Sequence, residues 1–175
     1  MIAYAKQAPS VIGLIQRVDK AQVAVSGEII ASIQRGLVAF IAVERGDSDA
    51  EAGRLIERIL GYRVFPDDEG KMNRCLGDID GELLLVPQFT LAADTRKGAR
   101  PSFSPAAPPE DGRRLFDLLA EEGRRGYTRV GTGRFGAEMK VSLVNDGPVT
   151  FWLQVPPSKP RTEAARKAVS QQSPT

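Results

Sequence analysis

The sequence holds no histidine and one cysteine, Cys75, among 175 residues. Without histidine there is no Ser-His-Asp or Cys-His nucleophilic machinery and no histidine-ligated zinc or haem. A single cysteine excludes an intrachain disulfide and a thiolate metal cluster, and a lone thiol suits a reducing cytosol. Carboxylate binding of a hard cation is the metal chemistry left open. The longest apolar run, residues 37–43 (LVAFIAV), falls far short of the roughly 20 residues that a bilayer-spanning helix needs. The first residues carry one lysine and no apolar signal core, so the expected location is cytoplasmic, with no membrane partner.

A strong excess of charge is also missing: 24 Lys and Arg stand against 22 Asp and Glu. Residues 157–175 hold Lys159, Arg161, Arg166 and Lys167 against Glu163, so residues 1–156, with 20 cations and 21 anions, carry −1. The body is therefore no generic polyanion binder, and any RNA must be gripped by a local patch or by shape. What is present is ordinary for one globular domain: 42% hydrophobic and 26% charged residues. A chain of 19.0 kDa can bury roughly 68–70% of its unfolded surface, so it needs neither disulfide nor metal to fold.

VIGLIQRV (11–18) predicts a first strand. AQVAVS, Gly27-Glu28 and IIASI read as a hairpin, and LVAFIAV as a strand buried on both faces. Asp47, Ser48 and Asp49 offer N-caps to a helix whose Ala52, Leu55, Ile56, Ile59 and Leu60 share a face; Gly61 ends or weakens it. YRVF (62–65) is a short strand, PDDEGK (66–71) a turn and ELLLV (82–86) a buried strand. Residues 94–109 form a long loop rich in proline and small residues, of a kind that is usually functional or disordered. A second helix spans about 110–124, glycines break up 123–136, and strands over 138–145 and 149–155 flank Asp146-Gly147-Pro148. The order predicts an α+β domain, a curved antiparallel-rich sheet or barrel backed by two helices.

Several motifs invite a chemical reading. Residues 131–136 match G-x-G-x-x-G literally, but a helix precedes and a strand follows, so they read as a flexible or ligand-lining loop rather than a dinucleotide fingerprint. Asp67, Asp68, Glu69, Asp78, Asp80 and Glu82 lack regular ligand spacing and read as solvated turns. Gln88-Phe89-Thr90 follows a core strand, either as a plain strand end or as a site whose backbone N–H groups stabilise an oxyanion. Arg100-Pro101-Ser102-Phe103 sets a cation and an aromatic beside a rigid turn, suited to a phosphate and a base or simply to anchoring the loop. Asp146-Gly147-Pro148 is a turn in which the X-Pro bond can lock cis.

Taken together, VIGLIQRV, LGYRVF with DDEGKMN, QFTLAAD, RKGARPSF and TGRFGAEMKVSLVNDGPVTFWLQV resemble the bacterial D-aminoacyl-tRNA deacylases (D-tyrosyl-tRNA deacylases). The resemblance covers residues 11–155. It implies a homodimer of compact β-barrel-like subunits with two helices packed outside and the active site at the interface. It implies hydrolysis of the ester between a D-amino acid and the 3′-terminal adenosine of tRNA, without a cofactor or metal. Gln88, Phe89 and Thr90 are then catalytic. Gly147 and Pro148 form the family's Gly-cis-Pro motif, which enters from the partner subunit and excludes L side chains. The implied mechanism uses backbone N–H groups near Gln88 and Phe89 as an oxyanion hole and the substrate's own 2′-hydroxyl. A glycyl ester, lacking a side chain, should be cleaved too. Arg100, Phe103, Arg134, Phe135 and Met139 are the expected substrate-binding residues.

This sequence departs from the family where Pro87 replaces the usual Ser. Residues 1–10 precede the usual start, so Val11 is the expected initiator, 11–156 the deacylase domain, and 157–175 a disordered basic tail. The alternatives are a non-catalytic protein that binds tRNA ends, which Pro87 would favour, and a carboxylate-based metal hydrolase.

Overall fold

The computed structural model describes residues 10–96 and 98–157. The expectations for residues 1–9 and for the tail from 158 lie outside them. In chain order the elements are β1 (Val11–Val25), β2 (Glu28–Ile33), β3 (Gly36–Ala42), α1 (Asp49–Leu60), β4 (Phe65–Pro66), β5 (Met72–Arg74), β6 (Glu82–Pro87), α2 (Pro109–Gly126), β7 (Val130–Thr132) and β8 (Met139–Val155). Short 3₁₀ turns cover Gly77–Ile79 and Phe89–Ala92.

The two apolar stretches of residues 11–25 form one strand, because β1 serves different neighbours along its length. Its first half pairs antiparallel with β3, from Ile12↔Ala42 to Val18↔Gly36, and its second half with β2, from Ala21↔Ile33 to Val25↔Glu28. Ser26 and Gly27, both at positive φ, turn the β1–β2 hairpin. The other edge of β1 is covered along its whole length by β8, from Val11↔Val155 to Val25↔Met139, with register shifts between Gln16 and Lys20. β3 and β6 pair in parallel, as do β6 and β7, giving the order β2-β1-β3-β6-β7 with β8 on β1.

The sheet is mixed and curls almost into a barrel, which is why residues 37–43 and 82–86 read as unbroken apolar runs. On one face Leu37, Ala39, Ile41, Leu83 and Leu85 pack beneath Leu55, Ile56 and Ile59 of α1 and Leu115 and Leu119 of α2. On the other, Val38, Leu84 and Val86 meet Val18, Val23 and Ile33 across the curl. Two glycines allow the closest approaches. A Cβ on Gly13 would touch Leu55 at 3.3 Å, and one on Gly36 would sit 1.8 Å from the Glu82 carbonyl oxygen. Helix α1 starts as expected: Glu51, itself buried, accepts hydrogen bonds from the backbone N–H and hydroxyl of Ser48.

The expected α+β architecture is the one observed. Three local expectations change. Residues 62–64 are not strand; Phe65 and Pro66 pair with Met72–Arg74 around the expected turn. Val130–Thr132 is an edge strand within the glycine-rich stretch. Asp146-Gly147-Pro148 does not reverse the chain. It lies inside β8, whose two halves pair in the same direction with β1, so it is an interruption in one strand rather than a hairpin.

Candidate active site

Parallel neighbours end at the same edge of a sheet, and the chain leaving β6 turns at the carboxyl end of β3. The Gln88 amide continues the ladder by donating to the Ile41 carbonyl at 2.7 Å. The next residues enter the 3₁₀ turn, and the amides of Phe89 and Thr90 have no hydrogen-bond partner among the described residues. The Gln88 side chain donates its Nε2 hydrogen to Thr90 Oγ1, tying the turn across itself. Of the two amides expected at an oxyanion, Gln88's is thus committed to the sheet, and Phe89's is open together with that of Thr90.

Beside this turn lies a cavity of about 490 Å³. Val86–Phe89 form one wall; Pro109, Gly112 and Phe116 at the start of α2 form another; Phe135–Met139, joining β7 to β8, close it. Glu138 is the only charged residue among the described lining residues. Apart from Gln88 the walls are otherwise apolar or backbone, which suits a flat, uncharged ring system with a few polar edges. Gly112 belongs to this design: a Cβ there would press Phe135 at 3.2 Å. The connection is held by Gly133 N–H on the Leu85 carbonyl at 2.8 Å and by Arg134 N–H on Met139 Sδ at 3.4 Å.

Gln88, Phe89, Phe135 and Met139 therefore meet at one cavity. Thr90 and Phe103 sit next to it: the Phe103 ring lies 5.1 Å from that of Phe89, and both rings are substantially exposed. Arg134 neighbours Phe135, with its side chain exposed. Arg100 is exposed in the 94–109 loop and does not line the cavity.

Gly147 and Pro148 are elsewhere. Val141, the cavity-lining residue of β8 nearest the pair in sequence, is six positions from Gly147, roughly 20 Å at about 3.3 Å per residue. The Gly147–Pro148 peptide is cis. Its surroundings are tightly bonded. Arg17 Nε reaches the Asp146 carboxylate at 2.9 Å and its carbonyl at 3.2 Å, and Nη1 donates to the Val64 carbonyl at 2.7 Å. Asn145 Oδ1 accepts the Val149 N–H at 3.0 Å. Sequence reasoning missed Arg17; its signal was a lone cation in a mostly apolar strand segment.

The model of the D-Tyr-tRNA(Tyr) deacylase family matches residues 14–154. The chain belongs to that family. A D-aminoacyl-tRNA deacylase of Thioalkalivibrio sulfidiphilus is 61% identical, over 85% of this chain and 99% of its own. One from Nitrosococcus oceani is 58% identical over 84% and 95%. This deacylase is accordingly a hydrolase. Among solved structures, the c-Myc DNA unwinding element binding protein superposes with a TM-score of 0.79 at 36% identity, over 83% of this chain and 99% of that one. A probable eukaryotic D-amino acid tRNA deacylase gives 0.73 at 19% identity over 83% and 100%, a likeness of fold. Among the deacylase's described residues, no helix is long and apolar enough to cross a membrane.

Proposed function

We propose that this chain hydrolyses the ester joining a D-amino acid to the terminal ribose of tRNA, and a mischarged glycyl ester, as quality control for translation. The observation that carries the reading is a junction: apolar walls fit for a base lead to a turn whose Phe89 and Thr90 amides lack partners. The terminal adenine occupies the cavity against Phe135 and Met139. Its acylated ribose then faces the turn. Water, positioned by the substrate's 2′-hydroxyl, adds to the acyl carbon, and the carbonyl electron pair moves onto oxygen. The Phe89 and Thr90 amides stabilise that oxyanion. As the carbonyl re-forms, the ribose oxygen leaves with a proton. Gln88 and Thr90 side chains hold the turn in place. No cofactor is needed.

Chirality is read by Gly147 and Pro148 of a partner subunit, whose carbonyls fix the α-ammonium and leave no room for an L side chain. Two observations support a homodimer with shared sites. Within one chain this pair is far from the cavity. Also, Trp152, Leu14 and Phe40 are consecutive neighbours across β8, β1 and β3, on the face turned away from the helices, and Trp152 is 48% exposed.

The test is a deacylation time course with D-tyrosyl-, L-tyrosyl- and glycyl-tRNA, with chelator present. Loss of the D and glycyl esters with the L ester intact is expected. Binding without cleavage would make the protein a tRNA-end binder; cleavage abolished by chelator would point to a metal hydrolase.

A further inference from the structure

The cavity accounts for a base but not for the phosphate that enters with it: no cation is among its described lining residues. One stands at the rim. Arg113 lies one position beyond Gly112 in α2, with an exposed side chain that reaches back to the cavity wall. Its guanidinium carbon is 5.1 Å from the centroid of the Phe135 ring, and Nη2 donates to the Phe135 carbonyl at 3.3 Å. Nη2 also lies 3.4 Å from where a Cβ at position 136 would stand, beside Gly136 at φ +76°.

Arg113 has no carboxylate partner among the described residues, and Asp117, one turn along, forms no ion pair with it. Arg114 pairs with Asp49 at 2.6 Å, Arg125 with Glu122 and Arg129 with Asp80. A guanidinium carries five N–H donors in a planar fork suited to phosphate oxygens, and here most of them are uncommitted. The stacking on Phe135 fixes the side chain beforehand, so little rotamer freedom is lost when an anion arrives.

We propose that Arg113 is the phosphate-recognition residue of this pocket: it takes the 5′-phosphate of the terminal nucleotide whose base packs beside Phe135. This rests on the adenosine reading of the cavity and adds a residue to it. The same side chain then touches the aromatic wall beneath the base and the phosphate beyond it.

Adenosine and adenosine 5′-monophosphate separate the two parts. Titrated into the full chain at low salt and followed by NMR, the monophosphate should bind roughly tenfold tighter, the scale of a charge-assisted hydrogen bond. The preference should shrink as salt rises. Arg113→Ala should abolish it and Arg113→Lys retain part of it. Arg114→Ala, the same loss of charge one residue on, should leave it intact. Equal affinity for the two ligands in the unaltered protein, or a preference that survives Arg113→Ala, would overturn the proposal. So would a parallel loss of both affinities in Arg113→Ala, because Arg113 would then only shape Phe135. Binding of neither ligand by a chain that still deacylates D-tyrosyl-tRNA would also overturn it while leaving the activity standing. With D-tyrosyl-tRNA, Arg113→Ala should raise KM several-fold, more than it lowers kcat.

Discussion

Asp47 shows how a single buried oxygen sets a pH response. Its Oδ2 accepts the Glu44 N–H at 2.7 Å, while Oδ1 is buried with no hydrogen-bond partner among the described residues. Burial is the main reason its carboxyl is pushed up to about 7; the Glu44 N–H works against the rise, and the charges of Glu44 and Glu51 add to it. In the unfolded chain it titrates near 3.8. The folded state therefore holds the extra proton between these values, and stability falls as pH rises from about 4 to about 7, then levels. This is opposite in sign to the usual carboxylate. In Asp47→Asn the amide oxygen keeps the Glu44 bond without the charge. Thermal unfolding from pH 4 to 8 should show the variant's Tm advantage growing up to about pH 7 and constant above it. An advantage that ignored pH would exclude this origin.

Among elements, the end of β6 has the most consequence. Leu83 N–H donates to Arg129 and Gln88 N–H to Ile41, so odd-numbered positions of β6 face β7 and even-numbered ones face β3. Pro87 is odd, and the last β6–β7 pair is Leu85↔Thr132. Its missing N–H faces Gly133, whose own N–H still reaches the Leu85 carbonyl, so the β6–β7 ladder stops here for want of a donor, while the Gln88 bond to β3 survives. Pro87→Ser should leave kcat/KM for D-tyrosyl-tRNA the same or raise it by a few-fold. A large fall would mean that the rigid ring itself sets the turn.

The same strand end shows what was legible in the sequence. Long patterns were: β3, β6 and the apolar faces of α1 and α2 carry enough periodicity to declare themselves. Three-residue β5 and β7 carry none; Met72–Arg74 and Val130–Thr132 become strands only because Phe65 and β6 lie alongside. Asp146-Gly147-Pro148 read as a reversal because its composition is that of a turn. What keeps the chain running straight is remote: the side chain of Arg17, some 130 positions earlier, binds Asp146. Gln88, Phe89 and Thr90 were legible from their place after a core strand as one of two readings, between which the family's motifs chose, and Arg113 not at all, because its meaning lies in Phe135, 22 positions away.

At the scale of the molecule, the near-neutral body and the exposed Trp152 face belong together. A surface without strong charge opposes neither self-association nor a modest, end-specific hold on RNA. Trp152 is the chain's single tryptophan, so its fluorescence reports that face alone. Emission should shift to the blue as concentration drives association. Trp152→Glu should sediment as a monomer and lose D-tyrosyl-tRNA hydrolysis. A monomeric variant that still cleaved would mean that one chain contains a whole site.

The open amides of Phe89 and Thr90 are main-chain groups, and that affects what genetics will find. Every amino acid except proline supplies the same N–H, so most codon changes at these two positions alter the side chain and spare the donor. On the oxyanion role proposed above, an alanine scan would pass over the chemistry. Inactivating substitutions should instead gather where the backbone path is set, at places such as Gly36, whose neighbour's carbonyl leaves no room for a methyl group.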